Sequence, residues 1–499
     1  MKDASVSYCA AGTVSYPASY PASYPADLAL LIDGEWLDSS ARPGRIITNP
    51  ATGAALGALP YASEADLARA LSAAERALAH WRTVPAYDRA IILNRAAALL
   101  RERCESIATA LTLEQGKPLA EARGEIQTAA DIFAWNAEEG RRAYGRIVPS
   151  RTSGQRNMVV KEPIGVVAAF APWNFPAATA ARKIAGALAA GCACIIKPAE
   201  ETPATALALA RALVDAGLPA GVLNVVFGEP AQVSGYLLRS PIVRKVSFTG
   251  STAVGIQLTT LAAADVKRCT MELGGHAPVI VCDDVDPQQA ASLAVAAKYR
   301  NAGQICVAPT RFYVQEGVFD AFADAFTQAA SALVVGNGLD AATQMGPLAN
   351  PRRIEAMETL TAEAVSLGAR LLTGGKRLPG AGYFYPPTVL ADVPEHARIM
   401  NEEPFGPVAI LNRYAELPDA LRAANRLRYG LAAYAHTHDA RRAQQIADGM
   451  QAGTIGLNTY TVTQTEMPFG GIDHSGDGKE GGIEGLDGYL VTKMVMHLA

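Results

Sequence analysis

Residues 165–250 read GVVAAFAPWNFPAATAARKIAGALAAGCACIIKPAEETPATALALARALVDAGLPAGVLNVVFGEPAQVSGYLLRSPIVRKVSFTG. Two periodicities alternate along this stretch. GVVAAFAP, CACIIKP, VLNVVFG and VRKVSFTG are short apolar runs of the length of buried strands. Between them, 177–190, 202–216 and 230–239 carry Ala- and Leu-rich helix formers, and a further helix opens at Thr252. Apolar strands separated by helices of about ten to fifteen residues predict an α/β fold whose parallel sheet is covered on both faces. Ligands of such sheets bind beyond the carboxyl ends of the strands. The unusual residues of the stretch fall there: Asn174, Lys197 with Glu200, Gly228, and Gly250 with Ser251.

Outward from this block, a two-strand signal at LLIDGEW precedes a helical run from about Glu64 to Arg142. Residues 1–26 contain the Ser-Tyr-Pro-Ala repeat SYPASYPASYPA, whose prolines remove backbone donors and disfavour helix. A flexible or polyproline-like extension is expected there. A second α/β regime runs from about 274 to 470. Segments 146–163 and 487–498 read as strands that have left the main sheets, and such edges invite pairing with another subunit, a homodimer or homotetramer.

A chain of 499 residues is long enough for two or three domains. It is 50% hydrophobic and 18% charged, with a net charge of −4, which fits a large interior and argues against nucleic acid or an anionic membrane as partner. No long apolar run or signal peptide is apparent, so a soluble, cytoplasmic protein is expected. Seven cysteines without a C-x-x-C pair form neither a disulfide framework nor a zinc pattern. His436 and His438 are spaced for one side of a strand but lack a third ligand, so no metal is expected.

Cys306 lies in RNAGQICVAPTR, where a glycine and small residues let the backbone bend sharply and approach a ligand. A nucleophilic thiol needs such access. Glu272, in MELGGHAP, is wedged between Met271 and Leu273, a setting that raises a carboxylate's pKa toward that of a general base. Asn174, between Pro172 and Pro176 in APWNFP, offers a side-chain amide to a developing oxyanion. FTGSTAVG has a G-x-x-x-x-G spacing but no following Lys-Ser/Thr, so it is not a triphosphate P-loop. Its helix start can still take a pyrophosphate. Taken singly, each also admits a structural role: an inert buried thiol, a glutamate closing a strand in a salt bridge, an Asx-turn.

Together these segments resemble the aldehyde dehydrogenase superfamily over nearly all of residues 28–499. The resemblance is carried, in order, by NPATG (49–53), EQGKP (114–118), PWNFP (172–176), KPAE (197–200), FTGST (248–252), MELGG (271–275), GQIC (303–306), EEPFGPV (402–408) and PFGG (468–471). It implies a Rossmann-like cofactor domain (27–145 and 164–273), an α/β catalytic domain (274–474) and a small β oligomerisation domain (146–163 and 475–499). Cys306 is the implied nucleophile and Glu272 the base for the deacylating water. Asn174 and the Cys306 N–H form the implied oxyanion hole. The cofactor is NAD, with NADP as the alternative. Lys197 and Glu200 are to hold its adenosine ribose and Ser251 its pyrophosphate, with Glu403 on the nicotinamide ribose and Phe405 beside the ring. Pro172, Trp173, Gly228, Phe248, Gly250, Gly255 and Leu273 complete the implied cofactor site.

Within that superfamily the sequence is most similar to succinate-semialdehyde dehydrogenases. Arg182 and Arg300 stand where that group places arginines for the substrate carboxylate, and Thr463 keeps the hydroxyl of an expected serine. Ala308 stands where many of that group carry a second cysteine, Tyr460 and Thr461 replace mouth residues, and Ala253 replaces a common glutamate. These departures leave other acid products open, from glutarate, 2-oxoglutarate or aromatic semialdehydes. A catalytically silent structural protein on the same fold is the remoter alternative.

Overall fold

The computed structural model describes residues 24, 25, 28–40 and 42–498. Its first sheet places the parallel strands in the spatial order Leu223–Val225, Ala193–Lys197, Val166–Phe170, Val243–Thr249, Arg268–Glu272. Along the chain the first of these is Val166–Phe170, so the winding reverses between it and Val243–Thr249. A crevice opens at the carboxyl ends of strands on either side of such a reversal. The antiparallel hairpin Leu30–Ile32 and Glu35–Leu37 extends one edge, and Gly476–Asp477 closes the other. Val166–Phe170 and Ala193–Lys197 are buried along their whole length, because helices cover both faces of the sheet.

The helices begin and stop where their sequences dictate. Pro176 opens Pro176–Ala190 at a position that needs no N–H, and Gly191, in the left-handed region at φ 90°, ends it. The run from Glu64 is four helices, Glu64–Trp81, Ala86–Glu102, Cys104–Gln115 and Leu119–Gly140. The first starts at a reciprocal Ser63–Asp66 capping box.

The second sheet orders its strands Arg370–Thr373, Thr388–Ala391, Val408–Tyr414, Arg311–Gln315, Pro278–Val281, Ala432–His436, Thr454–Leu457. All are parallel except the first. Phe312, Phe319, Phe322 and Phe326 fill its core. The chain passes from one sheet to the other between Glu272 and Pro278, a crossing of five residues.

Arg146–Val148, Gln155–Pro163 and Leu490–Leu498 form a separate antiparallel sheet. The last strand starts at Leu490, not 487, because Gly482–Asp487 is helical and Tyr489 is buried against the first core. The hairpin of Gly44–Thr48 and Ala55–Pro60 was not singled out from sequence; NPATG is its turn, with Asn49 accepting the Ala51 N–H. Most of the Ser-Tyr-Pro-Ala extension lies outside the described residues. Tyr24 does not behave as a free tail: it is buried, and its hydroxyl donates to Glu114 at 2.7 Å. Among the described residues no helix is long and apolar enough to cross a membrane.

Candidate active site at the crossing between the two sheets

Glu272 ends the last parallel strand of the first sheet, paired with Thr249. Both of its carboxylate oxygens are buried without a protein partner. A Cβ on Gly470 would sit 2.6 Å from Glu272 Oε1, so only glycine lets the PFGG loop close over the acid. Burial first, and then the Glu480 carboxylate, push the Glu272 pKa well above its ordinary value; Lys183, Arg182 and Lys479 pull it partly back. Lys183 Nζ donates to Glu480 at 2.6 Å and to Thr249 Oγ1 at 2.7 Å, so a fixed ion pair lies beneath the acid.

Cys306 follows a tight turn at Arg300–Gly303 and precedes the strand Arg311–Gln315, at the amino end of the second sheet. A Cβ on Gly275 would come within 2.5 Å of the Cys306 carbonyl, so the glycines after Glu272 allow the two loops to touch. The thiol is pushed up to about 12, by burial and then by the Glu403 and Glu272 carboxylates. Asn174 is buried at the start of the helix Pro176–Ala190. Its Nδ2 donates to the Gln304 carbonyl at 3.0 Å, which fixes the amide beside the Cys306 loop and leaves its second N–H unused by that bond.

The crevice at the carboxyl ends of the first sheet carries the remaining polar residues. Lys197 Nζ and Glu200 Oε1 are 2.5 Å apart and both side chains are buried. Glu200 also accepts the Gly228 N–H at 3.4 Å. Ser251 leads the helix Thr252–Ala263 without making a capping bond, so the N–H groups of its first turn are left to a ligand. Phe248 lies under Gly250 and Leu273 under Gly255: a Cβ at either glycine would meet those side chains at 2.4 and 2.3 Å. Glu403 accepts the Gly275 N–H at 3.0 Å; burial raises it to about 7, against that bond and the nearby Arg353 and Lys298. Trp173 and Phe405 meet edge to face at 5.5 Å, and Pro172 precedes that tryptophan.

A model of the aldehyde dehydrogenase family matches residues 36–495. The chain belongs to the aldehyde dehydrogenase family. It is 49% identical over 475 residues to a putative 4-(hydroxymethyl)benzenesulfonate dehydrogenase of Comamonas testosteroni, covering 94% of this chain and 98% of that one. It is 46% identical to the NADP⁺-dependent succinate-semialdehyde dehydrogenase of Escherichia coli, covering 93% of this chain and 96% of that one. The crystal structure of a succinate-semialdehyde dehydrogenase from Burkholderia pseudomallei superposes with a TM-score of 0.93 at 45% identity, covering 96% of this chain and 99% of that one. The protein is therefore an NAD(P)-dependent aldehyde dehydrogenase of mixed α/β, Rossmann-like fold.

The crevice of this aldehyde dehydrogenase fits a dinucleotide on its own evidence. The buried Glu200 and Glu403 carboxylates offer acceptors for sugar hydroxyls, Gly274 lets the chain pass beside Glu403, where a Cβ would come within 2.6 Å of Oε2, and the start of Thr252–Ala263 has no side-chain cap on its free N–H groups. The three residues expected to read the substrate lie apart in sequence. Arg182 stacks on Phe469 at 5.4 Å and Arg300 on Phe175 at 5.7 Å, and both rings, like Cys306, are partly buried against the core of the second sheet. Thr463 is exposed on the loop before PFGG. His436 and His438 do not share a strand face: the strand ends at His436, which is buried against Tyr460 at 4.9 Å, while His438 is exposed.

Sequence reasoning missed the buried supports. Lys183, Glu480 and Glu125 carried no local signal, and Lys117 in EQGKP and Asn301 in RNAGQIC were given no role, since each finds its main partner across the fold or within an unremarkable helix. Glu125 Oε1 accepts the Ala177 N–H at 2.8 Å and the Ala178 N–H at 3.2 Å, capping the helix that starts beside Asn174.

Proposed function

We propose that this aldehyde dehydrogenase oxidises a short aldehyde ending in a carboxylate, succinic semialdehyde foremost, through a thioester on Cys306. One observation carries the substrate assignment: Arg182 Nη1 is buried with no hydrogen-bond partner, and neither Arg182 nor Arg300 forms an ion pair among the described residues. The salt-bridge explanation for the two arginines is thereby weakened. Guanidinium groups bind carboxylates through paired hydrogen bonds, and both sit on rings that, like Cys306, pack against the core of the second sheet.

The residues divide the chemistry as follows. Cys306 attacks the aldehyde carbon after losing its proton, and the Asn174 amide and the Cys306 N–H stabilise the resulting oxyanion by about 3–4 kcal/mol. Glu200, Ser251 and Glu403 would hold the nicotinamide cofactor, which would supply the acceptor for the hydride lost from the tetrahedral adduct on Cys306. Glu272 then takes a proton from the water that attacks the acyl carbon, and the acid leaves as Cys306 is restored. We assign the first sheet to cofactor binding, the second to the substrate side, and the separate three-stranded sheet to subunit pairing. Glu200 can accept from both ribose hydroxyls and opposes a 2′-phosphate, while Lys197 offsets that charge, so NAD⁺ is used at least as well as NADP⁺.

The test is an aldehyde panel run with each cofactor. Loss of one partner from a carboxylate pair costs about 2–4 kcal/mol. Arg182→Ala and Arg300→Ala are therefore each expected to narrow the kcat/KM preference for succinic semialdehyde over butanal by roughly thirtyfold or more. Equal losses on both aldehydes would assign the arginines to the fold. A wild type that prefers a sulfonated aromatic aldehyde would move the assignment toward the Comamonas relative.

A further inference from the structure

We infer that Asn301, clamped by Gln115, is a positioning residue that sets the Asn174 amide against the Cys306 loop. The inference rests on the reading of Asn174 and Cys306 given above. The turn before Cys306 holds three successive left-handed residues: Asn301 at φ 48°, Ala302 at φ 52° and Gly303 at φ 69°. L side chains avoid this region, and an alanine has no polar group to compensate. A turn of this kind persists only where its surroundings over-determine it.

The surroundings converge on Asn301. Its N–H donates to Glu121 Oε2 at 2.9 Å, and its Oδ1 accepts from Gln115 Nε2 at 2.8 Å. Its Nδ2 donates to the Asn174 carbonyl at 2.9 Å and, more weakly, to the Gln304 carbonyl at 3.4 Å. That Gln304 carbonyl is also the acceptor of the Asn174 amide. Lys117 Nζ reaches the Asn174 carbonyl at 2.8 Å, and Gln115 Oε1 accepts the Lys117 N–H at 2.9 Å. Asn301, Gln115 and Gln304 are essentially inaccessible to water. One side chain thus joins the oxyanion donor to the loop that ends in the nucleophile, and the helix Cys104–Gln115 holds that side chain still. A shift of Asn301 moves both reacting partners.

The alternative is that asparagine stands there only because it tolerates a positive φ. Glycine separates the two explanations, since it takes the same backbone with less strain and makes no side-chain bonds. In single-turnover mixing with saturating semialdehyde and cofactor, Asn301→Gly is expected to slow reduced-cofactor formation by roughly tenfold to a hundredfold. Cofactor affinity, read by fluorescence titration, should stay within about twofold of wild type. Gln115→Met, of similar length but without the donor, should slow the same step less. The double variant should lose less than the two single losses combined, because the Gln115–Asn301 bond is already absent in Asn301→Gly and only the Gln115–Lys117 bond is left to lose. Wild-type rates in both single variants, or additive losses in the double, would overturn the proposal. If Asn301→Gly does not fold, an unchanged rate in Gln115→Met suffices to overturn it. Cys306→Ala, run alongside, separates the premises: turnover in that variant would defeat the covalent mechanism instead.

Discussion

Cys306 shows how a residue's chemistry depends on its neighbours. In GQIC the small residues promise access, but the thiol's environment is set by Glu272 and Glu403, which are 34 and 97 residues away in sequence. Burial and those carboxylates favour the neutral thiol. With its pKa pushed up to about 12, the thiolate fraction of the cofactor-free enzyme rises with pH throughout the neutral range. Alkylation of Cys306 by iodoacetamide is therefore expected to quicken roughly tenfold per pH unit from about pH 7 to 9. A rate already level at pH 7 would show a resting thiolate and contradict this account. Glu272 was legible because Met271 and Leu273 flank it. The Glu480 carboxylate that also raises its pKa was not, since nothing local marks it.

At the scale of elements, the parallel strands and most helices were readable because their apolar periods are unbroken and proline or glycine punctuates them. At Arg300–Gly303 the glycine announced a sharp bend, but not three successive left-handed residues, because Ala302 carries no turn signature. The hairpin around NPATG was passed over because Gly44, Gly57 and Pro60 break up its apolar runs. The helix Pro176–Ala190 depends on a support equally invisible in sequence. Glu125 caps its first turn and pairs with Lys117, both side chains being buried. Glu125→Ala would leave Lys117 buried without its counter-ion and the helix start uncapped. It is expected to cost about 3–5 kcal/mol in urea denaturation. A loss below about 1 kcal/mol would mean that the Asn174 carbonyl and the Phe175 ring, 4.0 Å from Lys117 Nζ, suffice to hold the charge.

Across the whole molecule, the parallel sheets and the strands that leave them followed from the alternation of strands and helices. How the sheets meet did not: Glu272 ends a strand of one, Cys306 precedes a strand of the other, and the glycines between bring their loops into contact. The central claim is that these two residues, one from each sheet, act in succession on one acyl group. Glu272→Gln keeps the shape of the acid but cannot take a proton from water. Mixed with succinic semialdehyde and cofactor, that variant is expected to give one rapid burst of reduced cofactor per site and then nearly stop. Mass spectrometry of the quenched protein should find a succinyl group on the Cys306 peptide. A full burst with no adduct there, or with the adduct on another cysteine, would contradict the account.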